Sequence, residues 1–177
     1  VQDTLASSVG DDTYGYGDIS KTDSVLEKSQ KLCNIGIHAL TNTLEEIDPK
    51  QVTRAVELLR GAETVFCYGQ GNSSIIAMEA WGCFSSITKK FQWISNSHMQ
   101  AATAALLGEN DVILYFSYSG SARELIELKE LPQKTKAKII LVTRFPESTG
   151  AEGADVVLIC GANESPRQQG SVAVKIA

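Results

Sequence analysis

Short apolar runs recur along the chain from residue 64 onward, and their continuity limits the folds that the chain can adopt. The runs VILYF at 112–116, KIILV at 138–142 and DVVLI at 155–159 contain almost no polar position. A strand with one face in water alternates between apolar and polar residues, so these runs indicate strands that are covered on both faces. Burial on both faces is typical of parallel sheets.

The stretches between the runs have the spacing of helices, near 73–87, 97–107, 121–134 and 166–177, with a short turn near 146–152. Alternating strands and helices predict an α/β fold. Right-handed crossovers then give a five-stranded, mostly parallel, doubly wound sheet flanked by helices. The predicted strands are Thr64–Tyr68, Phe91–Ser95, Asp111–Phe116, Lys138–Thr143 and Asp155–Cys160.

Two helices are predicted ahead of the sheet, after a polar, glycine-containing linker or tail over residues 1–21. Thr22 or Asp23 is the expected N-cap of the first helix. Its apolar residues recur at near-helical spacing and are Leu26, Leu32, Ile37, Leu40, Leu44 and Ile47. The second helix is predicted between Asp48, as N-cap, and Gly61. Its expected buried face consists of Val52, Ala55, Val56 and Leu59.

The composition is that of an ordinary globular domain, because hydrophobic residues make up 43% of the 177 residues and charged residues 21%. The formal net charge of −5 leaves no basic surface for a phosphate backbone, so we expect this chain not to hold nucleic acid by itself. There are two histidines, and the four cysteines form no CxxC pair. We therefore expect neither a metal site nor a cofactor.

The location and the ends of the chain are also readable from the sequence. No run is apolar for long enough to cross a bilayer and no signal peptide is recognisable, so we predict a cytoplasmic protein without a membrane partner. The chain begins at Val1 and stops at Ala177, inside a predicted helix. We therefore expect it to be a piece of a longer protein, truncated at its C-terminus.

Glycine and serine follow the first predicted strand, in the segment Gly69–Ser74. Gly71 lets the backbone approach a ligand closely, and the hydroxyls of Ser73 and Ser74 lie where a helix N-terminus offers free N–H groups. These features suit a phosphate or sugar hydroxyls. Ser74 stands where a dinucleotide-binding GxGxxG loop has its third glycine, and no Gly-Lys-Ser/Thr occurs, so neither nucleotide-binding loop is predicted. A tight turn without a ligand is the alternative.

A second loop of the same composition follows the third strand, where Ser117, Ser119 and Ser121 surround Gly120. By itself this segment is equally explained by an N-cap serine and a flexible turn. Ligands of open α/β sheets bind at the carboxyl ends of the strands. Because both loops lie at that edge, and Thr143 closes the fourth strand there too, the pair predicts one binding site.

The segment from 65 to 177 resembles the sugar isomerase (SIS) domain. The resemblance is carried by VFCYGQGNSS, HMQAATAALLGENDVILYFSYSGSARELIE, KIILVT and GADVVLICGANES. The HMQ stretch and the ending ADVVL…E…R…GS resemble the SIS part of RpiR-type transcription regulators more than the isomerases. The helical segment 22–60 looks like the segment that usually precedes this domain, so the resemblance covers about residues 22–177. The resemblance also implies a helix-turn-helix domain further upstream, which is absent from this chain.

The resemblance implies that serines of both loops hold the phosphate of a sugar phosphate. By position these are Ser73, Ser74, Ser117, Ser119 and Ser121. Similar domains often continue SGxT, with the threonine also on phosphate; Ala122 stands there in this chain, so Ser121 is expected to substitute or the phosphate to sit differently. This departure makes a non-phosphorylated ligand slightly more plausible.

Two further residues complete the predicted ligand-binding set. His98 begins a helix after a strand end, and Glu164 follows the fifth strand, where a carboxylate can meet a sugar hydroxyl. An isomerase needs a general base beside the reacting C–H, and Glu79 and Glu124 are the other candidates. No convincing acid–base pair assembles from these four residues. We therefore predict a sensor domain without catalytic residues, part of a regulator of carbohydrate metabolism.

Two alternatives remain: an aldose–ketose isomerase of sugar phosphates, and an interaction domain with a vestigial site. As a regulator reads paired half-sites in DNA, through the helix-turn-helix domain, we expect a homodimer or higher homo-oligomer. The first helix, over 22–47, is expected either at the two-fold interface or on the core of its own subunit.

Overall fold

A computed structural model describes residues 19–128 and 137–161, and its centre is one five-stranded sheet. The strands lie side by side in the order β2-β1-β3-β4-β5, and each neighbouring pair is parallel. Their bounds are Thr64–Gly69 for β1, Phe91–Trp93 for β2, Asp111–Phe116 for β3, Lys138–Thr143 for β4 and Val156–Ile159 for β5. The predicted parallel α/β sheet is confirmed, although β2 and β5 are shorter than predicted.

Helices precede the sheet and connect its strands. They are α1 (Val25–Glu46), α2 (Pro49–Gly61), α3 (Asn72–Ser85), α4 (Ser97–Ala104) and α5 (Arg123–Leu128), with a 3₁₀ turn at Ala151–Gly153. The predicted helix at 166–177, the end of the helix predicted over 121–134 and residues 1–18 of the tail lie outside the described residues.

Both faces of the sheet are buried, as the continuous apolar runs predict. Alternate side chains of β1, β3 and β4 point to opposite faces. One set, including Val65 and Leu114, packs with α2 and α3. The other set, including Tyr68 and Tyr115, packs with Leu125 of α5 and the end of α4. The domain is therefore a three-layer α/β/α arrangement, which leaves the carboxyl ends of the strands as an accessible edge.

The first helix begins later than predicted. Ser24, and not Thr22 or Asp23, is its N-cap, because the Ser24 side chain accepts from the Glu27 backbone N–H and the Glu27 carboxylate accepts from the Ser24 N–H at 2.8 Å. Asp23 instead accepts from the Ser20 N–H and forms an ion pair with Lys31. These bonds hold the pKa of the Asp23 carboxyl below its usual value.

Most of the apolar residues of α1 do not pack on the described part of the chain. Leu26 is 67% exposed, Ile37 53% and Leu44 66%, whereas Ala39 and Thr43 are the buried residues of this helix. Helix α1 thus contacts the domain through its C-terminal half. In α2, the predicted buried face holds for Ala55 and is wrong for Val56, which is exposed.

Candidate functional site

The two glycine- and serine-containing loops leave neighbouring strands at the same level. In the register of the sheet, Gly69 at the end of β1 pairs with Phe116 at the end of β3. In a sheet ordered β2-β1-β3-β4-β5, the chain leaves β1 toward β2 on one side and leaves β3 toward β4 on the other side, so the strand order reverses between β1 and β3. A crevice forms at such a switch point, and it is where open α/β sheets bind ligands.

The β1 loop turns sharply into α3. Gly71 has φ 56° and ψ −126°, a conformation that glycine adopts readily and other residues do not. The N–H groups of Ser73 and Ser74 close the turn by donating to the carbonyls of Gln70 and Gly71 at 3.0 and 3.1 Å. The two serine side chains are half-buried at the first turn of α3, and each hydroxyl can donate or accept a hydrogen bond.

The β3 loop forms a second turn beside it. The Gly120 N–H donates to the Ser117 carbonyl at 3.0 Å, and the Ser121 N–H donates to the Ser119 hydroxyl at 3.3 Å. Ser117 is buried, and Ser119 and Ser121 are exposed. Hydroxyl groups therefore line the two loops on adjacent strands, and they can donate to an oxyanion or accept from a sugar hydroxyl.

The segment after β4 supports the β3 loop from behind. The Thr143 hydroxyl and the Arg144 N–H both donate to the Tyr118 carbonyl at 3.1 Å, and the Gly150 N–H donates to the Gly120 carbonyl at 2.8 Å. Gly120 has φ 61°, and a Cβ atom built on it would collide with the buried side chain of Ser148. A side chain at this position is therefore disfavoured, and the β3 loop packs against the end of β4 and the segment that follows it.

Two hydrogen-bonded amides, the half-buried Gln70 and the buried Gln100, lie at the β1 loop. Gln100 on α4 is 1% exposed, and its Nε2 donates to the Ile94 carbonyl at 2.6 Å and to the Gly69 carbonyl at 3.4 Å. Its Oε1 accepts from Nε2 of Gln70 at 2.8 Å. Sequence reasoning did not single out either glutamine. The signal available was a polar residue at a buried helix position, which requires a partner.

Two buried tyrosines lie on the same face of the sheet as this pair. Burial raises the pKa of Tyr115 to about 12, the negative charge of Glu124 adds to this effect, and the Gln70 amide opposes it. Burial also raises the pKa of Tyr68. Both phenols are therefore neutral near pH 7, and neither can serve as a base there.

The structure brings most of the predicted ligand-binding residues together. Seven lie on the two adjacent loops: Gly71, Ser73, Ser74, Ser117, Ser119, Gly120 and Ser121. His98 is exposed at the start of α4, one strand away, and no hydrogen bond described for it reaches either loop. Glu164 lies outside the described residues. Their roles in binding remain predictions.

A large apolar groove of about 860 Å³ lies between α2 and α3 on one face of the sheet. Its walls include Leu59, Phe84 and Leu114. No serine of either loop lines it, and Glu79, one of the four candidate bases, does. Glu79 thus faces a groove between two helices and is not one of the residues of the two loops. Most of the groove lining is apolar, whereas a sugar phosphate is recognised by convergent polar groups.

Residues 19–128 and 137–161 contain neither a candidate metal site nor a candidate membrane-spanning helix. No group of three or more His, Cys, Asp or Glu side chains is placed to hold a metal ion there. None of the helices in those ranges combines the length and the apolar character needed to span a membrane.

Comparison with known proteins places this fold in a family. The family model of the SIS domain matches residues 58–177. An HTH-type transcriptional regulator of Caldanaerobacter subterraneus is 29% identical over 161 residues, which are 91% of this chain and 57% of that protein. The chain spans about half the length of such curated regulators.

Solved structures show the same relationship. The Vibrio vulnificus NanR protein complexed with ManNAc-6P is 26% identical, with a TM-score of 0.76 over 90% of this chain and 59% of that one. A phosphoheptose isomerase from Francisella tularensis, 18% identical, shares the fold with a TM-score of 0.68 over 86% of this chain and 94% of that one. The fold and its loop edge define an SIS-type α/β domain. The chain belongs to the SIS domain family.

Proposed function

We propose that this chain is the sugar-phosphate-sensing domain of an HTH-type transcriptional regulator of carbohydrate metabolism. The observation that carries the proposal is the pairing of Gly69 with Phe116, which sets two serine loops side by side at the switch point of the sheet. The similarity to HTH-type regulators, and to a protein complexed with ManNAc-6P, supports the same assignment.

The phosphate is held mainly by neutral donors in this proposal. Arg123 and Arg144, the arginines nearest the β3 loop in sequence, form ion pairs with Glu127 and Glu46 at 2.8 Å. Serine hydroxyls and the N-terminal end of α3, with its positive dipole, can bind an oxyanion without a cation. Ser119 and Ser121 are exposed, and a bound oxyanion would replace the Ser119 carbonyl as the acceptor of the Ser121 hydroxyl, 3.1 Å away in the structure.

Replacing Ser119 by alanine tests the site. A panel of sugar phosphates, consisting of ManNAc-6P and the monophosphates of glucose, fructose and ribose, is titrated by calorimetry against the wild type and the variant. We expect the variant to lose on the order of 1.5–3 kcal/mol of binding free energy, because a hydrogen bond to a charged group is removed. Ser86→Ala is the matched control, as Ser86 ends α3 far from the loops and bonds to the Cys83 carbonyl. Equal affinity of the Ser119 variant and the wild type would refute the placement.

The domain senses its ligand and does not isomerise it in this proposal. A base must lie within hydrogen-bond reach of the proton that it removes. Of the four candidates, Glu79 lines the groove between α2 and α3, His98 is exposed beside a neighbouring strand, and Glu124 lies in the first turn of α5. These three do not form an acid–base pair.

Solvent exchange of a bound sugar phosphate tests the absence of catalysis. We expect no protein-dependent incorporation of deuterium at C1 or C2 of any ligand that binds, because proton abstraction is the first step of aldose–ketose isomerisation. Proton NMR in D₂O measures it. Exchange that depends on the protein, and that is lost in His98→Ala or Glu164→Gln, would favour the isomerase.

The proposal extends to the partners of the whole protein. DNA is contacted only by a helix-turn-helix domain upstream of α1, and the protein acts in the cytoplasm. Paired half-sites require two copies, so the regulator is a homodimer or a higher homo-oligomer. The exposed leucine and isoleucine side chains of α1 support a two-fold contact along this helix.

A further inference from the structure

Gln100 is the polar side chain of α4 that is buried against the β1 loop. All of its hydrogen-bonding groups that the structure describes are directed at strand ends: Nε2 at the carbonyls of Ile94 and Gly69, and Oε1 at the Gln70 amide. Because two carbonyls fix the position of Nε2, Oε1 can only face Gln70. Gln100 therefore holds the Gln70 amide nitrogen toward itself, and the Tyr115 phenol is a second partner of the Gln70 side chain.

Gln70 in turn belongs to the loop that carries the ligand serines. Its backbone carbonyl accepts the Ser73 N–H at 3.0 Å, and its side chain is anchored on Gln100. Gly69 and Gly71, on either side of Gln70, have no side chains, so Gln70 is the residue of these three whose side chain can anchor the loop. The conformation of the Ser73 turn thus depends on an anchor that lies 30 residues further along the chain.

We propose that Gln100 is a positioning residue: without touching the ligand, it holds Gln70, and through Gln70 the Ser73–Ser74 turn, in the conformation that binds. This inference rests on the proposed function for its ligand, and its structural part stands without it. A buried glutamine that served stability alone would act on the whole domain equally.

Two variants break the anchor from opposite sides. Gln100→Met and Gln70→Met keep the length of the side chain and remove the amide. Gln51→Met is the matched control, because Gln51 is also half-buried and accepts a backbone N–H, that of Val157 at 3.3 Å, on the far side of the sheet. Each variant is first checked for cooperative thermal unfolding.

Amide hydrogen exchange of the free protein, resolved by NMR, is the first measurement. We expect exchange at the Ser73 and Ser74 amides to be roughly tenfold faster in both anchor variants, and within about twofold of wild type in Gln51→Met, because local opening of one loop is detected at its own amides. Unchanged exchange in both anchor variants overturns the inference, as does an equal increase across all strands.

The second measurement is ligand affinity. The probe is ManNAc-6P, or one of the glucose, fructose and ribose phosphates if it binds the wild type more tightly than ManNAc-6P does. We expect each anchor variant to bind the probe roughly tenfold more weakly than the wild type. The double variant Gln70→Met/Gln100→Met should bind no more than about threefold more weakly than Gln70→Met, because the two substitutions remove the same hydrogen bond. Full additivity overturns the inference. If the wild type binds none of these probes, the proposed ligand class is contradicted, and the exchange measurement still decides on the anchor.

Discussion

Gly120→Ala is expected to lower the free energy of unfolding by about 2–5 kcal/mol, the sum of a backbone and a packing contribution. A residue other than glycine at φ 61° incurs roughly 1–2 kcal/mol of backbone strain. The added Cβ also meets the Ser148 side chain and lies 3.0 Å from the Thr143 hydroxyl. Forcing a methyl group into packed surroundings costs a further ~1–3 kcal/mol. Urea unfolding of the isolated chain measures the sum.

Two further variants separate the steric cause from the general effect of glycine. Gly82→Ala in α3, where no atom lies within 4 Å of the new Cβ, is expected to raise stability by roughly 0.5–1 kcal/mol. Ser148→Gly in the Gly120→Ala background removes the colliding side chain and is expected to restore part of the loss. A Gly120 variant within about 0.5 kcal/mol of wild type would show that the β3 loop is not held against the β4 loop as described.

The sheet was predictable because its signals are local. Continuous apolar runs mark β3 and β4 as strands with two buried faces, and the structure confirms both with the predicted bounds. The loops were predictable for the same reason, since glycine and serine stand directly after apolar strands. Their adjacency follows from a rule about strand ends, and the register of Gly69 with Phe116 agrees with it.

What sequence reasoning missed depends on contacts between distant residues. The Gln70–Gln100 bond joins positions 30 apart, and Ser148 meets Gly120 only because β4 lies beside β3. The N-cap of α1 was misplaced by one or two residues, because Thr22, Asp23 and Ser24 are all capping residues and the reciprocal bond to Glu27 decides among them. The spacing of apolar residues also does not tell whether a helix face packs on the core of its own chain or stays exposed. On α1, most of the predicted apolar face is exposed.

Helix α1 touches the domain next to the proposed site. The Arg144 guanidinium donates to the Glu46 carboxylate at 2.8 Å, while the Arg144 N–H donates to the Tyr118 carbonyl in the β3 loop at 3.1 Å. The Gly161 N–H, after β5, donates to the Thr43 hydroxyl at 2.7 Å. Because α1 precedes the sheet, it is the element through which, in the proposed regulator, a change at the loops would reach a DNA-binding domain upstream.

Arg144→Ala is expected to abolish the response of α1 to ligand and to leave binding intact. The variant removes the ion pair with Glu46 and keeps the backbone bond to Tyr118, so ligand affinity should stay within about threefold of wild type. The response is measured as the distance between spin labels at residue 28 of two subunits. Lys28→Cys supplies the label position once the exposed Cys33 and Cys83 are replaced by serine. In the otherwise wild-type protein, saturating sugar phosphate should shift this distance by on the order of 2 Å.

Glu46→Gln, which changes the other residue of the Arg144–Glu46 ion pair, should abolish the response to ligand in the same way. Arg123→Ala is the matched control, because it removes another arginine–glutamate pair of 2.8 Å beside the β3 loop that does not involve α1. A ligand can shift an equilibrium only by its differential affinity for two states. If the ligand still shifts the label distance in both Arg144→Ala and Glu46→Gln, the Arg144–Glu46 ion pair is not the route of the coupling. Two results would refute the coupling itself. One is a label distance in the wild type that ligand does not change, and the other is an operator affinity of the full-length regulator that is the same with and without saturating ligand.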